Sequence, residues 1–396
     1  MELVTVATFL VAGAASLFMA WAIGAGSSGS TPFAPAVGAN AIAVMRAGLI
    51  VGVLGFLGAV LQGANVTEAV GTQLVGGVTL TAGAAIVALL TAAALVAIGV
   101  FAGYPIATAF TVTGAVVGVG LAMGGEPAWA KYAEIVTLWV LTPFIGGGIA
   151  FGAARLLIAD HLPERPLTAG MAGVVGVVLA NIGFALLGPE GANGSVAGVL
   201  GPKLGLGQVA GVALGGMLVT IGVAALVGLV VYVDLGRDRE GGQRRFLLVM
   251  GALVAFSAGG SQVGLAIGPL VPLLGDDIPL TAVLAGGGFG LLVGSWTGAP
   301  RMIKALAQDY ASMGPRRSIA ALIPSFAIAQ TAVAFGIPVS FNEIIVSAIV
   351  GAGYAAGEAG VSRKKMLYTV LAWIGSLVVA FVLGYGIYTF GDWLFF

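Results

Sequence analysis

Along most of the chain, apolar runs of about twenty residues alternate with short polar or glycine- and proline-rich breaks. That is the length a hydrocarbon core of about 30 Å requires of a spanning helix. The runs predict helices near residues 4–24, 44–62, 72–102, 107–124, 132–158, 167–187, 205–234, 245–258, 279–297, 320–335, 340–357 and 366–390, with the 72–102 run broken inside. The first run opens on Met-Glu without a basic start and flows straight into a polar break, so it reads as a retained helix rather than a cleaved signal.

One break organises the rest. Residues 25–38, AGSSGSTPFAPAVG, interrupt an apolar run with small hydroxyls, glycines and two prolines. Pro32 and Pro35 lack backbone donors, and Gly26 and Gly29 let main chains approach closely, so no continuous helix is expected here. Broken backbone at membrane depth is tolerated where it is buried in protein or lines a polar cavity, the setting of many transporter binding sites.

The hydrophilic stretch DLGRDREGGQRRF at 234–246 divides the chain into two parts that resemble each other at one nearly constant spacing. Gly26-Ser27 recurs as Gly260-Ser261, Pro35 as Pro269, and Gly63-Ala64 as Gly298-Ala299. GYPIA at 103–107 recurs as GIPVS at 336–340, and Lys131, Trp139 and Thr142 recur as Lys365, Trp373 and Ser376. In order and in register, these matches indicate an internal duplication. Basic residues mark cytoplasmic segments: Arg155 and Arg165, Arg237 to Arg245, Arg301 to Arg317, and Arg363 to Lys365. Their counterparts are poor in cations, so corresponding loops fall on opposite faces and the repeats are expected to be inverted. The expectation is an all-α polytopic membrane protein with two inverted repeats, residues 1–165 and 237–396, joined by connecting helices over 166–236. Broken or re-entrant helices should meet at the midplane, as one integrated membrane domain.

Composition agrees and narrows the chemistry. Hydrophobic residues make up 59% and charged residues 8%, against about 25% charged in soluble domains. The net charge is +0, so no nucleic-acid footprint exists. The chain has no cysteine, and its one histidine, His161, lies in a charged loop. Disulfides, thiol nucleophiles and cysteine- or histidine-ligated metals are thereby excluded, and no cofactor is expected.

The order of motifs resembles the PiT family of inorganic phosphate transporters, which includes sulfate permeases. Its signatures read roughly GANDVANAFGTSVG and GANDVANAIGPL, with GxPVSTTH later in each half. AGSSGSTPFAPAVG and GGSQVGLAIGPL (259–270) occupy the first two positions here, and GYPIATAF (103–110) and GIPVSFNE (336–343) the others. The family's Asn-Asp pair falls on Ser27-Ser28 and on Ser261-Gln262, so roles resting on those aspartates do not carry over. The loss brings the chain nearer to the sulfate permease branch. The resemblance implies a membrane permease for a small inorganic oxyanion.

The residues themselves offer matching chemistry. Ser27, Ser28, Ser30 and Thr31 from one half, Ser261 and Gln262 from the other, and Thr108 and Ser340 beside the GxP turns supply donors suited to an oxyanion, with half-helix N-termini adding N–H groups. The bland reading is that these hydroxyls bond back to their own helices. Glu343, a carboxylate inside an apolar helix with Asn342 beside it, is the candidate for binding a coupling ion, sodium or a proton. The competing reading is a helix-end carboxylate reaching water. Its counterpart in the first half is Phe110. Arg46 reads as a helix end, Asn65 as a turn cap, and Trp139 and Trp373 as packing or interface anchors.

The expected function is therefore secondary active transport of phosphate or sulfate across the cell membrane. Phosphate follows from the resemblance, whereas a donor-only site leans slightly towards sulfate, which carries no proton for a carboxylate to accept. The alternative is a passive anion channel or exporter without a coupling ion. With one intramembrane carboxylate and no catalytic residue, an enzyme is not expected. The partners are the anion and the lipid bilayer, and the glycine-rich faces permit a homodimer. Residues 25–38 and 259–270 should be non-helical at their centres and lie close together.

Overall fold

The apolar runs fold as helices, and the computed structural model describes residues 3–159, 161–184, 187–188, 194–209, 211–274, 278–357 and 361–395. In the first half α1 (Leu3–Ile23) ends in a π-helical turn, Gly24–Ser28, before the short α2 (Ala34–Gly38). There follow α3 (Val44–Gln62), α4 (Ala64–Thr72), α5 (Ala82–Ala102), α6 (Thr108–Ala122) and α7 (Trp129–Ile158). The connecting part holds α8 (Glu164–Asn181), α9 (Val196–Leu200) and α10 (Leu214–Arg237). The second half holds α11 (Arg239–Ile267), a 3-10 turn at Gly268–Leu273, α12 (Leu280–Thr297), α13 (Ala299–Gln308), α14 (Pro315–Ala334), α15 (Phe341–Tyr354) and α16 (Arg363–Phe395). Among the described residues, nine helical spans are long and apolar enough to cross a membrane, and α6 and α15 are shorter apolar helices. The chain is a multi-pass membrane protein.

Local chemistry sets the boundaries. Within the run expected over 72–102, residues 73–81 are non-helical and α5 is continuous from Ala82 to Ala102, with the Thr81 side chain capping it by accepting from Ala84 N at 3.3 Å. Gly103, at φ 72°, closes the same helix in the left-handed region that glycine reaches without strain. The helix expected over 167–187 ends at Asn181, and residues 185–186 lie outside the described ones. The helix expected from 205 begins at Leu214 instead, because Pro202–Leu204 form a 3-10 turn and Gln208–Val209 pair with Val212–Ala213.

One expectation is corrected. The first break is non-helical over 29–33, but α11 runs unbroken through 259–267 and the helix yields only at Gly268-Pro269. Proline explains the difference: Pro32 has Ala266 as its counterpart, so in the second half every N–H survives up to Pro269. The glycines there serve packing instead. A β-carbon on Gly259 would collide with the Gly55 carbonyl oxygen, and one on Gly58 with that of Phe256, so α3 and α11 cross with their backbones in contact. Gly259→Ala should therefore reduce folded protein through overpacking of about 1–3 kcal/mol. Gly286→Ala, where an added carbon meets nothing within 4 Å, should be tolerated. Thermal melting followed by size-exclusion chromatography separates the two, and equal melting would refute the close crossing.

The two halves interlock reciprocally. Across the halves α6 packs on α16 and α15 on α7, and α3 on α11 and α12 on α1, while within each half α5 packs on α1 and α14 on α11. Trp139 Nε1 donates to Pro338 O at 2.9 Å, and Trp373 Nε1 donates to Pro105 O at 2.8 Å. The paired tryptophans thus anchor each half to the GxP turn of the other. The exchange runs in both directions between the halves. Outside it, α8 packs along α10. The start of α8 is fastened to the second half by Glu164, which accepts from Arg316 Nη2 at 2.6 Å and Arg239 Nε at 3.0 Å, and also from Gln243. Burial pushes the Glu164 carboxyl up, but the hydrogen bonds from Arg239 and Arg316 outweigh it and hold the group below the usual glutamate range.

Candidate functional site

Four segments meet in the interior: the π turn after α1, the last turns of α11, and the N-terminal ends of α6 and α15. Gly103 and Gly336, at φ 72° and 62°, turn the chain into the two GxP segments that deliver α6 and α15. Gly24 and Gly29 let the π turn lie directly against the backbone of α12 at Leu291 and Ser295. Ser16 Oγ of α1 donates to Ala266 O at 2.9 Å, holding the first helix along α11.

Gln262 is the hub. Its Oε1 accepts from Thr108 Oγ1 at 2.7 Å and from Ser27 Oγ at 3.2 Å, while its Nε2 donates to Val339 O at 2.6 Å. Asn342 closes the circle, with Nδ2 donating to Gly26 O at 2.9 Å and to Ile106 O at 2.6 Å. One amide on α11 and one on α15 thereby tie the second half of the chain to the first.

All the site residues read from the sequence are buried: Ser27, Ser28, Ser30, Thr31, Thr108, Ser261, Gln262, Ser340, Asn342 and Glu343. Their hydroxyls divide into two sets. Ser30 Oγ and Thr31 Oγ1 donate to Ser27 O at 3.1 and 3.0 Å, closing their own turn. By contrast Ser28 Oγ, Ser261 Oγ, Ser340 Oγ, Asn342 Oδ1 and Glu343 Oε2 are buried without a hydrogen-bond partner. A cluster of such atoms is unusual in a folded protein, since each leaves a desolvation cost uncompensated. Glu343 is only 2% exposed, so its carboxylate does not reach water as a helix end would. At the corresponding place in the first half, Phe110 stacks on Trp139 with ring centroids 3.9 Å apart.

The helix starts add donors. Neither Ala107 before α6 nor Ser340 before α15 caps its helix through a side chain. The first-turn N–H groups of both helices therefore lack intrahelical acceptors and carry the positive end of the helix dipole. Hydroxyls, an amide, two helix starts and one carboxylate can hold an oxyanion beside a hard cation, whose preferred ligands are oxygens.

Other residues take different places. Arg46 is exposed near the start of α3, as a helix-end residue should be. Asn65 donates across to Val333 O at 3.3 Å rather than capping its own turn. A second buried network was missed by sequence reasoning. Gln330 Nε2 donates to Ser257 Oγ at 2.6 Å and Gln62 Oε1 at 3.1 Å, and Gln62 Nε2 donates to Gly183 O at 3.0 Å. The available signal was an amide inside each of two apolar runs, VLQG and IAQTAV.

The sequence profile of the phosphate transporter family matches residues 23–384. The chloroplastic inorganic phosphate transporter 2-1 of Arabidopsis thaliana is 26% identical over 427 residues, spanning 96% of this chain and 70% of that protein. A permease assigned to phosphate in Pyrococcus abyssi is 26% identical over 387 residues, 92% of this chain and 93% of the relative. A solved structure described as the sodium-dependent phosphate transporter superposes with a TM-score of 0.81 and 22% identity, covering 98% of this chain and 100% of that one. The fold is shared.

Proposed function

The chain belongs to the phosphate transporter family, and on that premise we propose that it is a secondary active permease for inorganic phosphate, coupled to a cation. Family membership already makes it a transporter rather than an enzyme. The observation that supports the finer reading is the meeting of four segments at Gln262, where hydroxyls, an amide and two helix starts converge from both halves. Inverted repeats rocking about such a junction provide alternating access without moving the site itself.

Phosphate is preferred over sulfate because Glu343 belongs to the same cluster. Hydrogen phosphate can donate a hydrogen bond to a carboxylate through its O–H, whereas sulfate has no O–H and meets only repulsion there. Sulfate remains the second reading, favoured by serines and a glutamine at 27–28 and 261–262 where the family's signatures carry Asn-Asp. The need for coupling follows from energetics. Importing a dianion against an inside-negative potential costs about 4.6 kcal/mol per 100 mV, twice the roughly 2.3 kcal/mol per elementary charge. An uncoupled pore would mostly release such an anion. The unpartnered oxygens of Ser28, Ser261, Ser340, Asn342 and Glu343 are of the type that binds sodium.

Uptake of labelled phosphate into proteoliposomes, with and without a sodium or proton gradient and with sulfate as competitor, tests the proposal. Gradient-driven accumulation inhibited weakly by sulfate is expected, and gradient-independent flux would favour a passive channel or exporter. Ser27→Ala and Ser261→Ala should each weaken apparent affinity by about 1–3 kcal/mol, roughly five- to a hundredfold. Unchanged affinity in both variants would reduce these hydroxyls to packing.

A further inference from the structure

A cavity of about 970 Å³ lies apart from the central cluster, lined among others by Asn65, Glu68, Asn181, Gln330, Thr331 and Phe335. It is framed by the C-terminal ends of α3, α8 and α14 and the N-terminal ends of α4 and α12. Five helix ends and the exposed charged side chain of Glu68 gather at this cavity, which points its mouth towards water. Glu68, Thr331 and Phe335 in its wall are exposed.

Its inner wall is the network missed by sequence reasoning. Gln330 is 6% exposed, faces the cavity, and its amide bonds to both Ser257 and Gln62. Ser257 and Ser261 are four residues apart on α11, on one face and about one helical turn, roughly 6 Å, from each other. Gly260 permits the approach, because a β-carbon there would sit 2.8 Å from Gln62 Cβ. Beyond the network, Ser261 and Gln262 belong to the central cluster.

We infer that this cavity is the vestibule through which the oxyanion reaches the central site, and that Gln62, Gln330 and Ser257 form the gate between them; the inference rests on the transport function proposed above. Neutral amides suit the role. Exchanging an amide–amide bond for one to water or to an anion is close to even in free energy, so the gate can part around a hydrated oxyanion. A carboxylate in the same place would repel a dianion, and a leucine would offer it no donor. Glu68, on the exposed rim, is screened by solvent.

The chain has no cysteine, so single cysteines report accessibility without background. Thr331→Cys should react readily with an anionic methanethiosulfonate. Ser261→Cys should react slowly, and at least tenfold faster once Gln330→Ala or Gln62→Ala opens the network. An unreactive cysteine at 331, or one at 261 that reacts at the same rate in all backgrounds, would overturn the vestibule and its gate whether or not the protein transports. In proteoliposomes Gln330→Glu should lower phosphate uptake at least tenfold while phosphate binding to the solubilised protein persists, and undiminished uptake would also overturn the gate. A parent protein that takes up neither phosphate nor sulfate refutes the proposed function instead, and the labelling rates still decide the gate.

Discussion

Gln262→Leu is expected to lower phosphate uptake about a hundredfold while the protein still inserts and remains monodisperse. Leucine has nearly the volume of glutamine, so the close packing of α11 against the π turn is preserved. The hydrogen bonds are not. Ser27 Oγ and Thr108 Oγ1 lose their shared acceptor, and Val339 O loses its donor. A buried group left unsatisfied costs about 1–3 kcal/mol, and about 2.8 kcal/mol of lost organisation is a factor of a hundred. Gln262→Glu keeps an acceptor but places a charge beside the anion, and should also fail. Initial uptake rates and size-exclusion profiles, measured side by side, distinguish a lost site from a lost fold. Normal uptake by the leucine variant would remove Gln262 from the centre of the site.

The second large effect concerns Glu343. Glu343→Gln should abolish accumulation of phosphate against its gradient, yet leave exchange of phosphate between the two sides intact. The neutral amide is close in shape but has neither the charge that holds sodium nor the group that carries a proton. A carboxylate in a spanning helix costs about 2.5–3.5 kcal/mol on insertion scales. It is 2% exposed here and its Oε2 has no partner, so stability alone gives no reason for it. Net uptake and counterflow in the same vesicles separate the two activities. Full accumulation by the glutamine variant would return the molecule to passive transport.

Much of this was legible in the sequence. The run over 44–62 is α3 to the residue and that over 279–297 ends with α12 at Thr297, because Gly63 and Gly298 punctuate apolar runs whose length leaves little choice, whereas the short helices α4 and α13 that follow were not expected. The matched GxP motifs and tryptophans lie on segments that contact one another reciprocally. The tryptophan pair was read as an anchor, and each indole does hold the opposite GxP turn.

What the sequence by itself determined is what depends on local chemistry and hydropathy: the spans, and the order of motifs that carries the family. Tertiary structure decided the rest, because the same residue type serves different ends in different surroundings. Gly259 and Gly264 looked like a break and instead bring helix backbones together, since no proline follows until Pro269. Ser30 and Thr31 close their own turn while Ser28 and Ser261 do not, a division set by which carbonyl lies within reach. Gln62 and Gln330, far apart in the chain, become one network only when α3 and α14 meet beside α11. A hydrogen bond depends on distances of a few tenths of an ångström, and between such distant residues only the folded chain sets them.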